Sequence, residues 1–321
     1  MRNPSELYRF EADARPQRRV SLPRIGFGAA PDGVPEPAGA VLLVMLDGFV
    51  DAGHVGHILA KHLIHSGDAQ VVASFEVDEL LDFRGRRPPM TFSSDRWTSY
   101  DDPSLLLYRL TDRDGTPYYV LSGPEPDYQW ERFIAAVTQL IDVLGIELTV
   151  HTYGIPMAVP HTRPIGFTAH ATDSRLIGEH KVLFGEMQVP GSVPSLLELR
   201  LGEAGRDAAG FAVHVPHYLG QAEFHDAALT ALNTIVDLTG LNLPNDELVA
   251  KAGENRKQIA AELEANPEIA QAVTGLENQY DVHVRGMGLP NLLDQQESKL
   301  PSADELASDV EEFLRSVDGD A

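Results

Sequence analysis

Seven consecutive apolar residues, Ala40-Val-Leu-Leu-Val-Met-Leu46, stop abruptly at Asp47-Gly48, and Val55, Ile58, Leu59 and Leu63 follow at helical spacing. A run without polar alternation does not suit a sheet with one wet face, so it predicts a strand buried on both sides. Gln70-Val-Val-Ala-Ser-Phe75 is the next strand candidate, and strand–helix–strand in this order favours a right-handed parallel crossover. The run is also far short of the roughly 20 residues that a membrane span requires.

Further along, Leu105–Leu110 and Pro117–Leu121 flank Asp114-Gly115, a strong signal for a β-hairpin over 105–121. An isolated ribbon of this kind is marginal in water, so its apolar residues, Leu106 and Tyr119 among them, are expected to pack on a neighbouring subunit. Residues 128–144 carry an apolar helical stripe closed by Gly145, and Ile146–Val150 reads as a strand. Strand candidates at 165–171 and 210–215 and a helix over 222–238 complete an alternating pattern, which argues for an α/β sheet with helices on both faces. Residues 1–38 are proline-rich without apolar period and read as an irregular arm. Beyond Pro244 only helices are expected, over 246–265, 268–279 and 302–317. The expected organisation is an arm over 1–38, an α/β core over 39–243 and a helical extension over 244–321.

The chain holds 48 Asp and Glu against 25 Lys and Arg, a formal charge of −23, and no cysteine. Thiolate metal sites, disulfide scaffolds and thiol nucleophiles are excluded, and a reducing cytoplasm fits. The acid is concentrated from Gly240 onward, with 17 acidic against 6 basic residues. Such a field repels phosphates and anionic lipid, so neither nucleic acid nor membrane is an expected partner. The extension is either a solvated helical face or a surface for a basic protein. The N-terminus lacks the apolar stretch of a secretory signal, and a cytoplasmic location is expected.

No phosphate-binding P-loop, dinucleotide fingerprint, Gly-x-Ser-x-Gly elbow or His-Glu-x-x-His pair occurs, and Ser192 and Ser195 read as loop residues. No catalytic residue and no cofactor is assigned. His54, His57, His62 and His65 share one helix but lack a clear completing carboxylate, so they read as exposed or capping side chains and no metal site is assigned.

Three turns stand at strand ends, where open α/β sheets place ligands. The first holds Asp47, Gly48, Asp51, Gly53 and His54; there Asp51 serves as a helix cap, the glycines permit close approach to a ligand, or both. The second, Ser122–Asp127, contributes Gly123. The third, His151–Pro164, contributes Tyr153, Gly154, His161 and Arg163, with three prolines restricting it. Arg163 offers a planar fork for an anion, or else bridges to an acid inside the fold. On a parallel sheet all three would gather at one rim, as the pocket of a binder or an enzyme for an anionic small molecule under a helical lid.

These same residues carry a resemblance. Asp47-Gly-Phe-Val-Asp-Ala-Gly53, Ser122-Gly-Pro-Glu-Pro126 with Trp130, Tyr153-Gly-Ile-Pro156 and Pro160-His-Thr-Arg-Pro164, in that order, resemble the proteasome assembly chaperone 2 family, and within it an actinobacterial-type branch. The resemblance implies a three-layer α/β/α core of the phosphorylase/hydrolase-like type, a C-terminal helical extension and a homo-oligomer, a trimer first. It also implies a non-catalytic protein-binding or assembly role, since eukaryotic relatives help to assemble proteasome α-rings. No catalytic residues come with it, and the implied core type, shared with nucleoside phosphorylases, keeps a nucleoside-like ligand for the rim as the alternative.

Overall fold

The computed structural model describes residues 3–11, 39–178 and 185–286, the last four of these as backbone alone. The elements run β1 (Tyr8–Phe10), β2 (Ala40–Asp47), α1 (Val55–Ser66), β3 (Gln70–Phe75), α2 (Phe83–Arg86), β4 (Met90–Ser93) and β5 (Arg96–Tyr100). They continue with β6 (Leu106–Thr111), β7 (Pro117–Pro124), α3 (Trp130–Leu144), β8 (Ile146–Met157), β9 (Phe167–Ala171), α4 (Val193–Glu203), β10 (Asp207–Pro216) and α5 (His225–Thr239). The helices α6 (Asp246–Ala265) and α7 (Pro267–Gly286) follow. The chain divides into two compact units, one of Met1–Met157 with Ile165–Gln258 and one of Ala158–Pro164 with Ile259–Ala321.

In the first unit eight strands form one sheet in the order β1-β3-β6-β7-β2-β8-β10-β9. Its centre, β7-β2-β8-β10, is parallel, and Val41 to Met45 of β2 are all buried, as their unbroken apolar run requires. The sheet as a whole is mixed: β1, β6 and β9 run antiparallel to their neighbours. Two antiparallel steps separate β2 from β3, so the expected crossover is parallel in direction but spans two intervening strands.

Helices cover both faces, giving the α/β/α arrangement. On one face α3 and α4 pack together, with Phe133, Val137, Leu140, Leu197 and Leu201 sharing a core with Leu42, Val44 and Leu121. Gly145, at φ 68°, closes α3 by donating its N–H back into the last turn. On the opposite face α1 and α5 pack together, burying Val55, Leu59, Leu63, Ala231 and Ile235. The first turns of α6 add Leu248 and Ala252 to the buried set, and His62 meets the Pro244 carbonyl at 2.7 Å.

Four expectations are corrected. The hairpin over 105–121 exists but is no free ribbon: β6 joins β3 and β7 joins β2, with Leu107, Tyr119 and Leu121 buried. Each such side chain gains about 1.5–3 kcal/mol from burial inside the monomer, so no neighbouring subunit is required. The arm contains β1, an edge strand on β3, whose three residues are too few to show a period. Ser192 is not in a loop: it caps α4, its Oγ accepting the Ser195 N–H at 3.3 Å. Tyr153, Gly154 and Pro156 belong to β8, which continues to Met157 paired with β10. Beyond His151 β8 has β10 alone beside it, so the missing N–H of Pro156 falls on the unpaired edge, where proline is tolerated.

In the second unit α7 begins on Pro267 and holds the 158–164 segment through side chains. Arg163 makes a two-pronged bond to Asp281, with Nε–Oδ1 and Nη2–Oδ2 both 2.8 Å, and the Tyr280 hydroxyl donates to the Pro164 carbonyl at 3.2 Å. The helix expected over 302–317 lies outside the described residues. Among the described residues no helix is long and apolar enough to cross a membrane.

Candidate functional site

The first two turns come together at the carboxyl ends of β2 and β7, where Leu46 pairs with Gly123 and the Glu125 N–H donates to the Asp47 carbonyl at 3.1 Å. Asp51, in the first turn, joins that turn to α1 and β8. Its Oδ1 accepts the N–H groups of Gly56 and Gly154, each at 3.0 Å, and its Oδ2 accepts that of His57 at 3.2 Å. One carboxylate thus satisfies the first turn of α1 and fastens it to β8. Burial raises the Asp51 pKa, outweighing the three amides that favour its charged form.

Backbone crowding explains the glycines. A Cβ on Gly154 would lie 1.9 Å from the Ala52 carbonyl oxygen, and one on Gly123 (φ 138°) 2.2 Å from that of Ser104. Gly53 takes φ 68° and exchanges backbone bonds with Gly220 and Phe224, while His54 follows it in the left-handed region with Nε2 3.4 Å from the Gln221 carbonyl. Gly48 lies against the buried carboxylate of Glu125, which accepts the N–H groups of Phe49 and Val193. Asp47 meets His57 Nδ1 at 3.0 Å with both side chains half-exposed, and this bond raises the His57 pKa.

The third turn divides. Gly154 joins the Asp51 cluster, whereas His161 and Arg163 belong to the second unit. There Asp281 first, and then Glu277, hold the Arg163 guanidinium and raise its pKa. That is the internal bridging arrangement open to it from sequence.

Tyr153 points to a second cluster on the α3/α4 face. His151 on β8, Gly210 on β10 and His170 on β9 lie in one register row across three strands. Glu198 of α4 reaches this row: one oxygen lies 2.8 Å from His151 Nε2, and both lie 3.0 Å from His170 Nδ1. The Tyr153 ring stacks on His151, and its hydroxyl is 3.5 Å from His170 Nε2. Burial disfavours the Glu198 charge, but the hydrogen bonds from the two imidazoles outweigh it and bring its pKa down to about 2. Burial depresses the His151 pKa despite the carboxylate, and burial raises that of Tyr153. Sequence reasoning missed His170 and Glu198. The sequence offered no signal for them: residues 192–195 read as a loop, so α4, which carries Glu198, was not expected.

A third feature is the separate β4–β5 ribbon. Phe92 pairs with Trp97 and Thr91 with Ser99, leaving Thr98 as the extra residue of a bulge. That bulge restores the alternation and sets Met90, Phe92, Trp97 and Tyr100 on one face. These residues are 52, 56, 63 and 45 % exposed, and the Phe92 and Trp97 rings meet edge to face at 5.1 Å.

The PAC2 family profile matches residues 45–263. A Mycobacterium tuberculosis protein of unknown function is 43 % identical, with TM-score 0.80 over 88 % of this chain and 91 % of its own. One of unknown function from Corynebacterium glutamicum is 36 % identical, with TM-score 0.75 over 87 % and 98 %. A Mycobacterium tuberculosis proteasome-assembly chaperone homologue shares the fold at 20 % identity, with TM-score 0.66 over 73 % and 99 %. No curated protein matches the chain.

Proposed function

The chain belongs to the PAC2 family, and from that premise we propose that it is a non-catalytic protein-binding factor acting in the assembly of a larger complex. The observation that carries this reading is the exposed face of the β4–β5 ribbon. Four large apolar side chains stand in water on a two-stranded element that is itself marginal alone. Aromatic residues and Met are enriched where proteins dock, because they bury much surface at low cost in side-chain freedom. The relative named a proteasome-assembly chaperone homologue suggests the kind of client, and the homo-oligomer, a trimer first, is part of the same proposal.

The double substitution Phe92→Ser with Trp97→Ser tests it. Both rings are exposed and lie outside the eight-stranded sheet, so the thermal midpoint should stay within a few degrees. Wild-type protein at native expression and low salt should retain one defined partner that the variant loses, with the light-scattering mass of the purified protein unchanged. A variant that keeps the partner, or a wild type with none, overturns the reading. A variant whose mass falls would make the ribbon an interface between copies of this chain instead.

A further inference from the structure

The His151–Glu198–His170 cluster has no part in the docking reading, and its construction is specific. Neighbouring strands place His151, Gly210 and His170 side by side, and the pleat turns their side chains to the same face. The middle position has no side chain, and both rings lean over it. A Cβ there would lie 2.1 Å from His170 Cε1 and 2.5 Å from His151 Nε2. Glu198 then descends from α4 onto the convergence, so that two imidazole nitrogens and a carboxylate oxygen all lie within 4.8 Å of one another.

Stability alone explains this poorly. The His151 side chain is 4 % exposed, and its Nδ1 has no hydrogen-bond partner among the described residues. Among the described residues Glu198 is its one hydrogen-bond partner, although desolvating an imidazole and a carboxylate is costly and an apolar pair would pack as well. Two imidazoles and one carboxylate on three separate elements are instead the donor set of a borderline cation, with hard Mg²⁺ and Ca²⁺ preferring all-oxygen shells. We propose that His151 Nε2, His170 Nδ1 and the Glu198 carboxylate bind one divalent cation of the zinc class.

The surroundings suit that role. Each ligating nitrogen gives up its proton to the ring's other nitrogen, and on His170 the resulting Nε2–H faces the Tyr153 hydroxyl, a contact that orients the ring. His170 is the most open of the three, its side chain 33 % exposed against 13 % for Glu198, so entry and the remaining coordination position lie on its side. The α1 histidines are differently engaged: His57 with Asp47, His62 with the Pro244 carbonyl and His65 with that of Lys61.

The test uses the full untagged chain, stripped with a chelator and titrated with Zn²⁺ and with Co²⁺ as a visible probe. One ion per chain should bind, and the Co²⁺ form should show the intense visible bands of a low-coordinate site. His170→Ala and Glu198→Gln should each weaken binding more than about tenfold, whereas His57→Ala with His65→Ala should leave it unchanged. Should Glu198→Gln fail to fold, His170→Ala, at a partly exposed ring, still decides the matter. Fewer than one ion per chain at saturation, wild-type affinity in His170→Ala, or loss of binding in the α1 double variant overturns the proposal.

Discussion

His214 shows what one buried imidazole contributes. It lies on β10 with Nε2 2.9 Å from the Thr168 hydroxyl, and burial pushes its pKa below the ordinary histidine value. The unfolded chain, titrating near 6.5, takes up the proton first as pH falls. Stability is therefore lost from about pH 6.5 downward until the folded ring titrates, at about 1.4 kcal/mol per tenfold difference in proton affinity. The urea midpoint should drop between pH 7.5 and 5.5, and His214→Gln should drop less; equal drops would remove His214 as a cause. Legibility at this scale followed chain proximity. The capping role of Asp51 was readable because its acceptor geometry serves the helix immediately after it, at Gly56 and His57. The partnership of His151 with His170 and Glu198 was not, because only strand register through Gly210 and the placement of α4 bring them together.

Elements were legible where burial is two-sided or a terminator is strong. The strand at Ala40, the helix closed by Gly145 and α6 over 246–265 all stand where an unbroken apolar run, a closing glycine and flanking prolines placed them. Apart from Ser192, where a helix start read as a loop, the failures share a cause, namely that strand pairing overrode a local signal. Prolines 156, 160 and 164 suggested a loop, yet β8 runs through the first of them because only one of its edges is paired there. The β6–β7 hairpin read as marginal because its partners, β3 and β2, are separated from it in the chain. Its real position makes a quantitative claim: Tyr119, at 9 % exposure, belongs to the α3/α4 core. Tyr119→Ala should cost about 3 kcal/mol, the scale of aromatic truncation in a core, read as a lowered urea midpoint at unchanged slope. Stability equal to wild type, with a change only in light-scattering mass, would restore the intersubunit role.

At the scale of the whole molecule, charge is the property that sequence conveys without loss, since it needs no contact map. Even if every Lys and Arg found a carboxylate, the formal charge of −23 would leave that many acids unpaired. The described ion pairs, such as Arg200–Glu131 and Lys251–Glu247, are largely at the surface, where water screens each of them strongly. Salt weakens both contributions, so the sign of its effect reports which is larger. Raising salt from about 0.01 to 0.15 M shortens the screening length from about 30 to 8 Å, below the spacing of most like charges but not of a 3 Å pair. Long-range repulsion should therefore fade first and the thermal midpoint should rise across this range. A falling midpoint would mean that the surface pairs act as a coupled network whose worth exceeds the self-repulsion of the acidic chain.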